Sequence, residues 1–347
     1  MEAWVLHHIG DCRHENVAEP VPAAGEVLVE VRAAGICGSD IPRIYRTGAH
    51  VHPLIPGHEF SGVVVKAEGT QRKWLHRDVG VFPLIPCHDC GPCRNRQYEM
   101  CRHYDYLGSR RDGGFAQYAA VPADNLIALP DTVSFAEGAM LEPMAVAVHA
   151  MRRIAMEKRD RIVVCGLGTI GLLLVMFLKE AGMEHIFAVG NKAFQRQAAA
   201  GLGVPEDCYC DAGGDVRGWI AERTGGAGAD VFFECVGKQD TVSLGVESAA
   251  PGGRVVLVGN PASDMTLAKN CYWKILRSQL TMTGTWNTTF THEPDDDWHY
   301  VCNRLQERRI DPAALITHRF PLEEAGNGFA LMRDKTEEYG KVMIILS

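Results

Sequence analysis

Residues 161–171 read Arg161-Ile162-Val163-Val164-Cys165-Gly166-Leu167-Gly168-Thr169-Ile170-Gly171. The apolar run up to Cys165 has the length and β-branched content of a buried strand. Three glycines follow, and then the apolar run Leu172–Leu178, ending at Lys179-Glu180-Ala181-Gly182, reads as a helix with a glycine just past its end. His185-Ile186-Phe187-Ala188-Val189 supplies a second short strand. In this strand–turn–helix–strand setting, Gly-x-Gly-x-x-Gly is a dinucleotide fingerprint. Its glycines let the backbone approach a pyrophosphate, and the helix N-terminus offers free N–H groups and partial positive charge. Gly166, Gly168, Thr169, Ile170 and Gly171 are therefore candidate cofactor residues; the alternative is a tight turn with no ligand.

The alternation continues downstream. Val231–Gly237, Gly253–Gly259 and Leu280–Gly284 read as further strands with helical segments between some of them, which implies a doubly wound parallel sheet. Ligands lie beyond the carboxyl ends of such strands, so Val236, Gly237, Gly259 and Asn260 are expected to line the cofactor cleft. An NAD site usually carries an acidic residue about 20 residues past the fingerprint, bonded to the ribose 2′-hydroxyl. Nineteen residues past Gly171 this chain has Gly190-Asn191-Lys192, with Arg196 nearby. Lys192 and Arg196 suit a 2′-phosphate and favour NADP over NAD; alternatively both are solvated surface charges and Asn191 alone meets the ribose.

Around this unit lies a chain of 347 residues, 46% apolar and 22% charged, long enough for two domains and close to the soluble globular average. A net charge of −8 supplies no broad basic field for nucleic acid. The longest apolar stretch, Ile170 to Leu178, is far shorter than the roughly 20 residues of a membrane span. The first residues lack a basic and an apolar signal region, so a soluble, cytoplasmic protein is expected, without nucleic-acid or membrane partners. In that setting the twelve cysteines read as metal ligands and buried thiols rather than disulfides.

The first 135 residues read as mostly β, with short valine-rich segments at Glu26–Val31, Gly62–Val65 and Gly80–Phe82 set between glycines and prolines. Within them Cys87, Cys90, Cys93 and Cys101 have the spacing of four thiolates that close a tetrahedral structural Zn²⁺ site. A sparser set, Cys37 in Gly35-Ile36-Cys37-Gly38-Ser39-Asp40 and His58-Glu59 in Gly57-His58-Glu59, offers S, N and O donors from separate loops. Such a set suits a catalytic zinc with an open position. It equally fits a core thiol and an ordinary polar turn. Asp40 could accept the free ring N–H of His58. The other seven cysteines, Cys12, Cys165, Cys208, Cys210, Cys235, Cys271 and Cys302, show no ligand spacing.

Taken in order, Gly35–Asp40, Gly57-His58-Glu59, the four-cysteine lobe, Asp112-Gly113-Gly114-Phe115-Ala116, Glu142-Pro143 and the glycine fingerprint resemble the zinc-containing alcohol and polyol dehydrogenases of the medium-chain dehydrogenase/reductase superfamily. The resemblance implies a GroES-like, β-rich catalytic domain formed by residues 1–145 and 288–347, with the zinc lobe at 87–101, and a Rossmann domain at 146–287. It implies two zincs per chain, NAD or NADP, an active site between domains and a homodimer or homotetramer. The catalytic zinc would be held by Cys37, His58 and a carboxylate, Glu59 or Glu142. Ser39 matches a hydroxyl used in proton release. The family's usual next relay, a histidine three residues on, is replaced by Pro42, so the proton would leave another way, through Glu59 and water or, as an outside candidate, His50.

Segments 37–44, 47–50, 108–115, 274–277 and 284–287 resemble those members that act on phosphorylated hexitols, which implies a hexitol phosphate and its keto-sugar phosphate as the reaction pair. Arg43, Arg110 and Lys274 are then candidate phosphate ligands, with Arg277 in the same segment, and Trp286 a candidate packing residue. Two alternatives stand beside this: a dehydrogenase of free polyols such as sorbitol, and a non-catalytic nucleotide-binding protein on the same fold. Metal content separates the last from the enzymes.

Overall fold

The computed structural model describes residues 1–261 and 263–346. The chain forms two units, Met1–Ala145 with Thr288–Ser347, and Val146–Asn287.

In the second unit, six strands lie in the order Tyr209–Asp211, His185–Gly190, Arg161–Cys165, Ala229–Glu234, Ala249–Leu257 and Thr281–Gly284, every pair parallel. Numbered along the chain this is 3-2-1-4-5-6, the dinucleotide-binding order, and it reverses between Arg161–Cys165 and Ala229–Glu234. The expected strands are present. One was missed: Tyr209–Asp211, a three-residue edge strand too short to show a period. The helix Thr169–Glu180 follows the first strand and buries every residue from Gly171 to Leu178, as its all-round apolar sequence requires. A Cβ on Gly171 would overlap the carbonyl oxygen of Gly166, so only glycine lets this helix pack so close to the strand end.

In the first unit, a seven-stranded sheet runs Ile316–Pro321, Lys341–Ile345, Glu26–Ile36, Glu59–Ala67, Asp78–Val81 and Leu126–Ala128, with Tyr118–Pro122 also on Glu26–Ile36. Its long central strand is buried along most of its length, over a core that includes Val27, Val29, Val31, Ala34 and Ile36. Three registers position the site. Gly35 faces Glu59 on one side and Met343 on the other, which puts Lys341, two residues back, on the same sheet face as Glu59. The lobe 87–101 is carried between the paired strands Leu84–Ile85 and Asp105–Tyr106. Buried Asn125 fixes its entrance by donating to the carbonyls of Phe82 and Leu84 at 2.7 and 2.8 Å.

Candidate active site

The central strand ends at Ile36 and delivers Cys37 into a turn that opens a short helical stretch at 40–47. Asp40, fully buried, organises that turn. Its Oδ2 accepts the Cys37 amide at 2.9 Å, and its Oδ1 pairs with Arg43 and lies 3.3 Å from His58 Nδ1. Burial opposes the charge of Asp40, but His58, Arg43 and the Cys37 amide together hold its carboxyl below the ordinary value. His58 is likewise held well above its usual pKa: burial works against the charge, and Asp40 and then Cys37 outweigh it.

Glu59 opens the neighbouring strand and is 1% exposed. Its Oε2 is paired with Nζ of Lys341, whose side chain is equally buried and reaches across Gly35. A Cβ on Gly35 would overlap Glu59 and come within 2.7 Å of Lys341 Cε, so the pair exists because that position is glycine. Burial disfavours the lysine's charge, yet Glu59, Cys37 and Glu142 keep its pKa above the ordinary value. Glu142 sits in the first turn of the helix Leu141–Arg152 and accepts from Tyr106 Oη at 3.4 Å. Its carboxyl is pushed up to about 7, mainly by burial, with Glu59 adding to the shift and His58 opposing it. Tyr106, raised well above its ordinary value by burial and then by Glu142, stays a donor.

The donor atoms of Cys37, His58 and Glu59 lie within 4.8 Å of one another, and Glu142 is not part of that group. His58 Nδ1 is buried without a hydrogen bond, 3.3 Å from Asp40 Oδ1. A mixed S, N, O donor set beside an unsatisfied buried ring fits a metal ion with a position left open. The lobe fits one still more closely. Its Sγ–Sγ separations are 3.9 Å for Cys87–Cys93, 3.5 Å for Cys90–Cys93 and 3.9 Å for Cys90–Cys101. A tetrahedral zinc with Zn–S of about 2.3 Å requires about 3.8 Å. Amides of Arg102 and Cys93 bring the Cys90 thiol down to about 6, while burial pushes Cys93 up to about 12. Four sulfurs at these separations match the corners of one tetrahedral cation site, and a cation there would draw off the proton that burial otherwise keeps on Cys93.

In the second unit the fingerprint turn is ready for a phosphate. A Cβ on Gly168 would meet no atom within 4 Å, so the second glycine faces open space. The helix Thr169–Glu180 has this glycine as its N-cap, with no side chain to occupy the helix-end amides. At the end of the second strand, a Cβ on Gly190 would come within 2.7 Å of Tyr209 Oη and 2.8 Å of Gln195 Oε1. Gln195 Oε1 also accepts the Asn191 amide at 2.8 Å. The space an acidic side chain would use is thus filled by Tyr209 and Gln195. Lys192 is the N-cap of the next helix, and Tyr209 Oη donates to its carbonyl at 3.5 Å. Arg196 is not a free cation beside the ribose position: it pairs with Glu206 and lies 4.6 Å over the Tyr209 ring. Val236 and Gly237 form the turn after Ala229–Glu234, and Gly259 and Asn260 follow Leu257.

The basic candidates divide. Arg43, expected on a phosphate, is committed to Asp40, the carboxylate three residues before it on the same helical stretch. Arg110 has no carboxylate partner among the described residues. Its guanidinium lies 4.5 Å over the Tyr104 ring, Tyr104 meets Tyr106 at 6.3 Å, and Tyr106 meets His58 at 5.9 Å between ring centroids. Lys274 and Trp286 belong to the second unit, and Trp286 is 59% exposed rather than a core residue. Ser39 donates to Cys37 Sγ at 3.3 Å, and His50 is an exposed loop residue. Lys341, Tyr106 and Glu234 were missed in the sequence. The available signals were a lysine opening an apolar strand and a glutamate closing another.

Two family models match the chain: alcohol dehydrogenase GroES-like domain over residues 23–131 and zinc-binding dehydrogenase over residues 169–307. Galactitol 1-phosphate 5-dehydrogenase of Escherichia coli K12 is 33% identical over 337 residues, 95% of each chain. Sheep (Ovis aries) sorbitol dehydrogenase is 30% identical, covering 94% of this chain and 91% of its own. A crystal structure of a putative zinc-binding dehydrogenase from Sinorhizobium meliloti 1021 bound to NADP superposes with a TM-score of 0.90 at 28% identity, covering 99% of this chain and 98% of that one.

Proposed function

Since the chain belongs to the zinc-dependent medium-chain dehydrogenase/reductase superfamily, an oxidoreductase family that uses zinc and NAD(P) on small alcohols, we propose that its substrate is a hexitol phosphate. Galactitol 1-phosphate or a close relative would be oxidised to the keto-sugar phosphate, tagatose 6-phosphate, with NADP as the favoured acceptor. The observation that carries this reading is Arg110, a guanidinium with no carboxylate partner among the described residues, at the outer end of a row of rings that begins at His58. A bidentate arginine suits two phosphate oxygens.

Cys37, His58 and Glu59 would hold the catalytic zinc, and Cys87, Cys90, Cys93 and Cys101 the structural one. When bound, the metal supplies a Lewis acid for the alcohol oxygen and the nicotinamide supplies the hydride acceptor. Asp40 orients His58 and the Cys37 backbone, and Lys341 holds Glu59. Ser39 Oγ, 3.3 Å from Cys37 Sγ, takes the alcohol proton. Pro42 cannot pass it on. Glu142, with Tyr106 Oη as its fixed donor, is the carboxylate suited to receive it through solvent.

Arg110→Ala tests the substrate class. Loss of a charge-assisted phosphate contact is expected to lower kcat/KM for galactitol 1-phosphate about a hundredfold, chiefly through KM, and to leave free galactitol and sorbitol unchanged. An equal effect on all three substrates would remove the phosphate reading and favour a dehydrogenase of free polyols. The preference for NADP rests on the missing acid at Gly190 and on Lys192; parallel rates with the two cofactors test it.

Two further readings accompany this one. Twelve cysteines divided between zinc ligands and unpaired thiols suit a reducing compartment, and we place the enzyme in the cytoplasm; no helix among the described residues is long and apolar enough to cross a membrane. A homodimer or homotetramer is supported by exposed Tyr272, Trp273 and Leu276 on the helix Lys269–Arg277, which precedes the edge strand Thr281–Gly284, paired on one side only among the described residues. Light scattering on the purified chain tests it.

A further inference from the structure

Glu234 closes the strand Ala229–Glu234, on the side of the sheet order where it reverses, and is 1% exposed. A buried carboxylate needs a cation or a full set of donors. Glu234 has no cationic partner among the described residues. Its Oε1 accepts the amides of Val236 and Gly237, both at 2.9 Å, and the Thr241 hydroxyl at 2.7 Å, while its Oε2 accepts the Gly237 amide again at 3.2 Å. Its main-chain carbonyl accepts two more amides, those of Val258 and Gly259, each at 2.8 Å. One residue therefore ties down two turns, 235–237 and 258–260, at the ends of adjacent parallel strands.

These turns are pressed together and against the fingerprint. Gly237 has φ +76°, a left-handed conformation, and a Cβ on it would overlap the Asn260 carbonyl. A Cβ on Gly166 would come within 2.5 Å of Val236 Cγ2, and the Cys235 amide donates to the Cys165 carbonyl at 2.8 Å. The turn that carries the phosphate-binding glycines thus leans on the turn that the Glu234 carboxylate holds. In a sheet of this order the cofactor lies beyond these strand ends.

We propose that Glu234 is the positioning residue of the cofactor site, and that its carboxylate fixes the 235–237 turn, against which the 258–260 and fingerprint turns pack, in its binding conformation before NAD(P) arrives. Without those bonds, the buried Gly237 amide and the part-buried Val236 amide lose their acceptor and the 235–237 turn must be ordered at the moment of binding, which weakens affinity.

The test is the Kd for NADPH and NADH, read by fluorescence titration of the full-length, zinc-replete protein without substrate. Glu234→Ala removes every side-chain acceptor and is expected to raise Kd at least about tenfold, the effect of losing roughly one net charge-assisted hydrogen bond. Glu234→Gln keeps an oxygen for the Val236 and Gly237 amides and is expected to stay within about threefold of wild type. Zinc content should be unchanged in both. Thr241→Val, which keeps the carboxylate and removes one donor, is expected to raise Kd about two- to threefold and serves if the alanine variant does not fold. Wild-type affinity in Glu234→Ala or in Thr241→Val would overturn the proposal. So would a loss in Glu234→Gln as large as in Glu234→Ala, because the charge rather than the hydrogen bonding would then be what matters.

Discussion

Lys341→Met isolates the buried ion pair at the metal cluster. Lys341 and Glu59 side chains are each 2% exposed, so the substitution keeps the volume of the side chain but leaves a carboxylate without its cation. Breaking a buried pair from one side costs about 3–5 kcal/mol, because the remaining charge is uncompensated. Taking the lower figure, and about 2–4 °C per kcal/mol for a unit of this size, the zinc-free protein should melt roughly 6–12 °C below wild type. The zinc-loaded protein behaves differently. There the metal's charge compensates Glu59, and the loss should shrink to below about 1 kcal/mol. The assay is differential scanning fluorimetry of wild type and variant, each with a chelator and with one equivalent of zinc per site. The expected signature is a larger zinc-induced rise in melting temperature in Lys341→Met than in wild type. An equal drop in both forms would mean that the lysine acts by packing, and no drop in the zinc-free form would mean that the pair contributes nothing. Either result refutes the reasoning.

In the zinc-free protein Glu142 titrates near 7 against an ordinary 4.5, so the folded state binds a proton that the unfolded state releases across that window. Stability is therefore full below about 4.5 and falls as pH rises to about 7, by about 3 kcal/mol; Glu142→Gln should flatten this slope in urea titrations at stepped pH. His58, also raised, acts in the same sense but only above its ordinary value of about 6.5, so in that variant a slope should remain above that pH and not below it. Cys93→Ser should lower the zinc content from two to one per chain by mass spectrometry and destabilise the lobe, which Arg96 links to Glu293 and to the Thr291 carbonyl at 2.7 Å each.

The parts legible in the sequence are those decided locally. The turn at 166–171 and the strands on either side of it carry their reasons within about a dozen residues, and the four cysteines lie within fifteen. Tyr209–Asp211 escaped because three residues hold no period, and it is paired only because its neighbour His185–Gly190 offers an edge. Lys341 lies 282 residues from Glu59 and looks like the start of an ordinary strand; only the sheet register and the missing side chain at Gly35 bring the two together. Arg43 shows the opposite limit. Its partner is three residues away, but Asp40 already had a role on His58, and sequence does not reveal that one carboxylate serves both. Whether a basic residue is free or engaged is a fact of packing, and it separates Arg110 from Arg43 and Arg196.

The most direct measurement is the ratio of kcat/KM for galactitol 1-phosphate to that for free galactitol, on zinc-replete protein with NADP⁺ and NAD⁺ in parallel. A guanidinium engaged by a phosphate predicts a preference of about a hundredfold or more for the phosphorylated substrate. Equal rates, or faster oxidation of the free polyol, would contradict it.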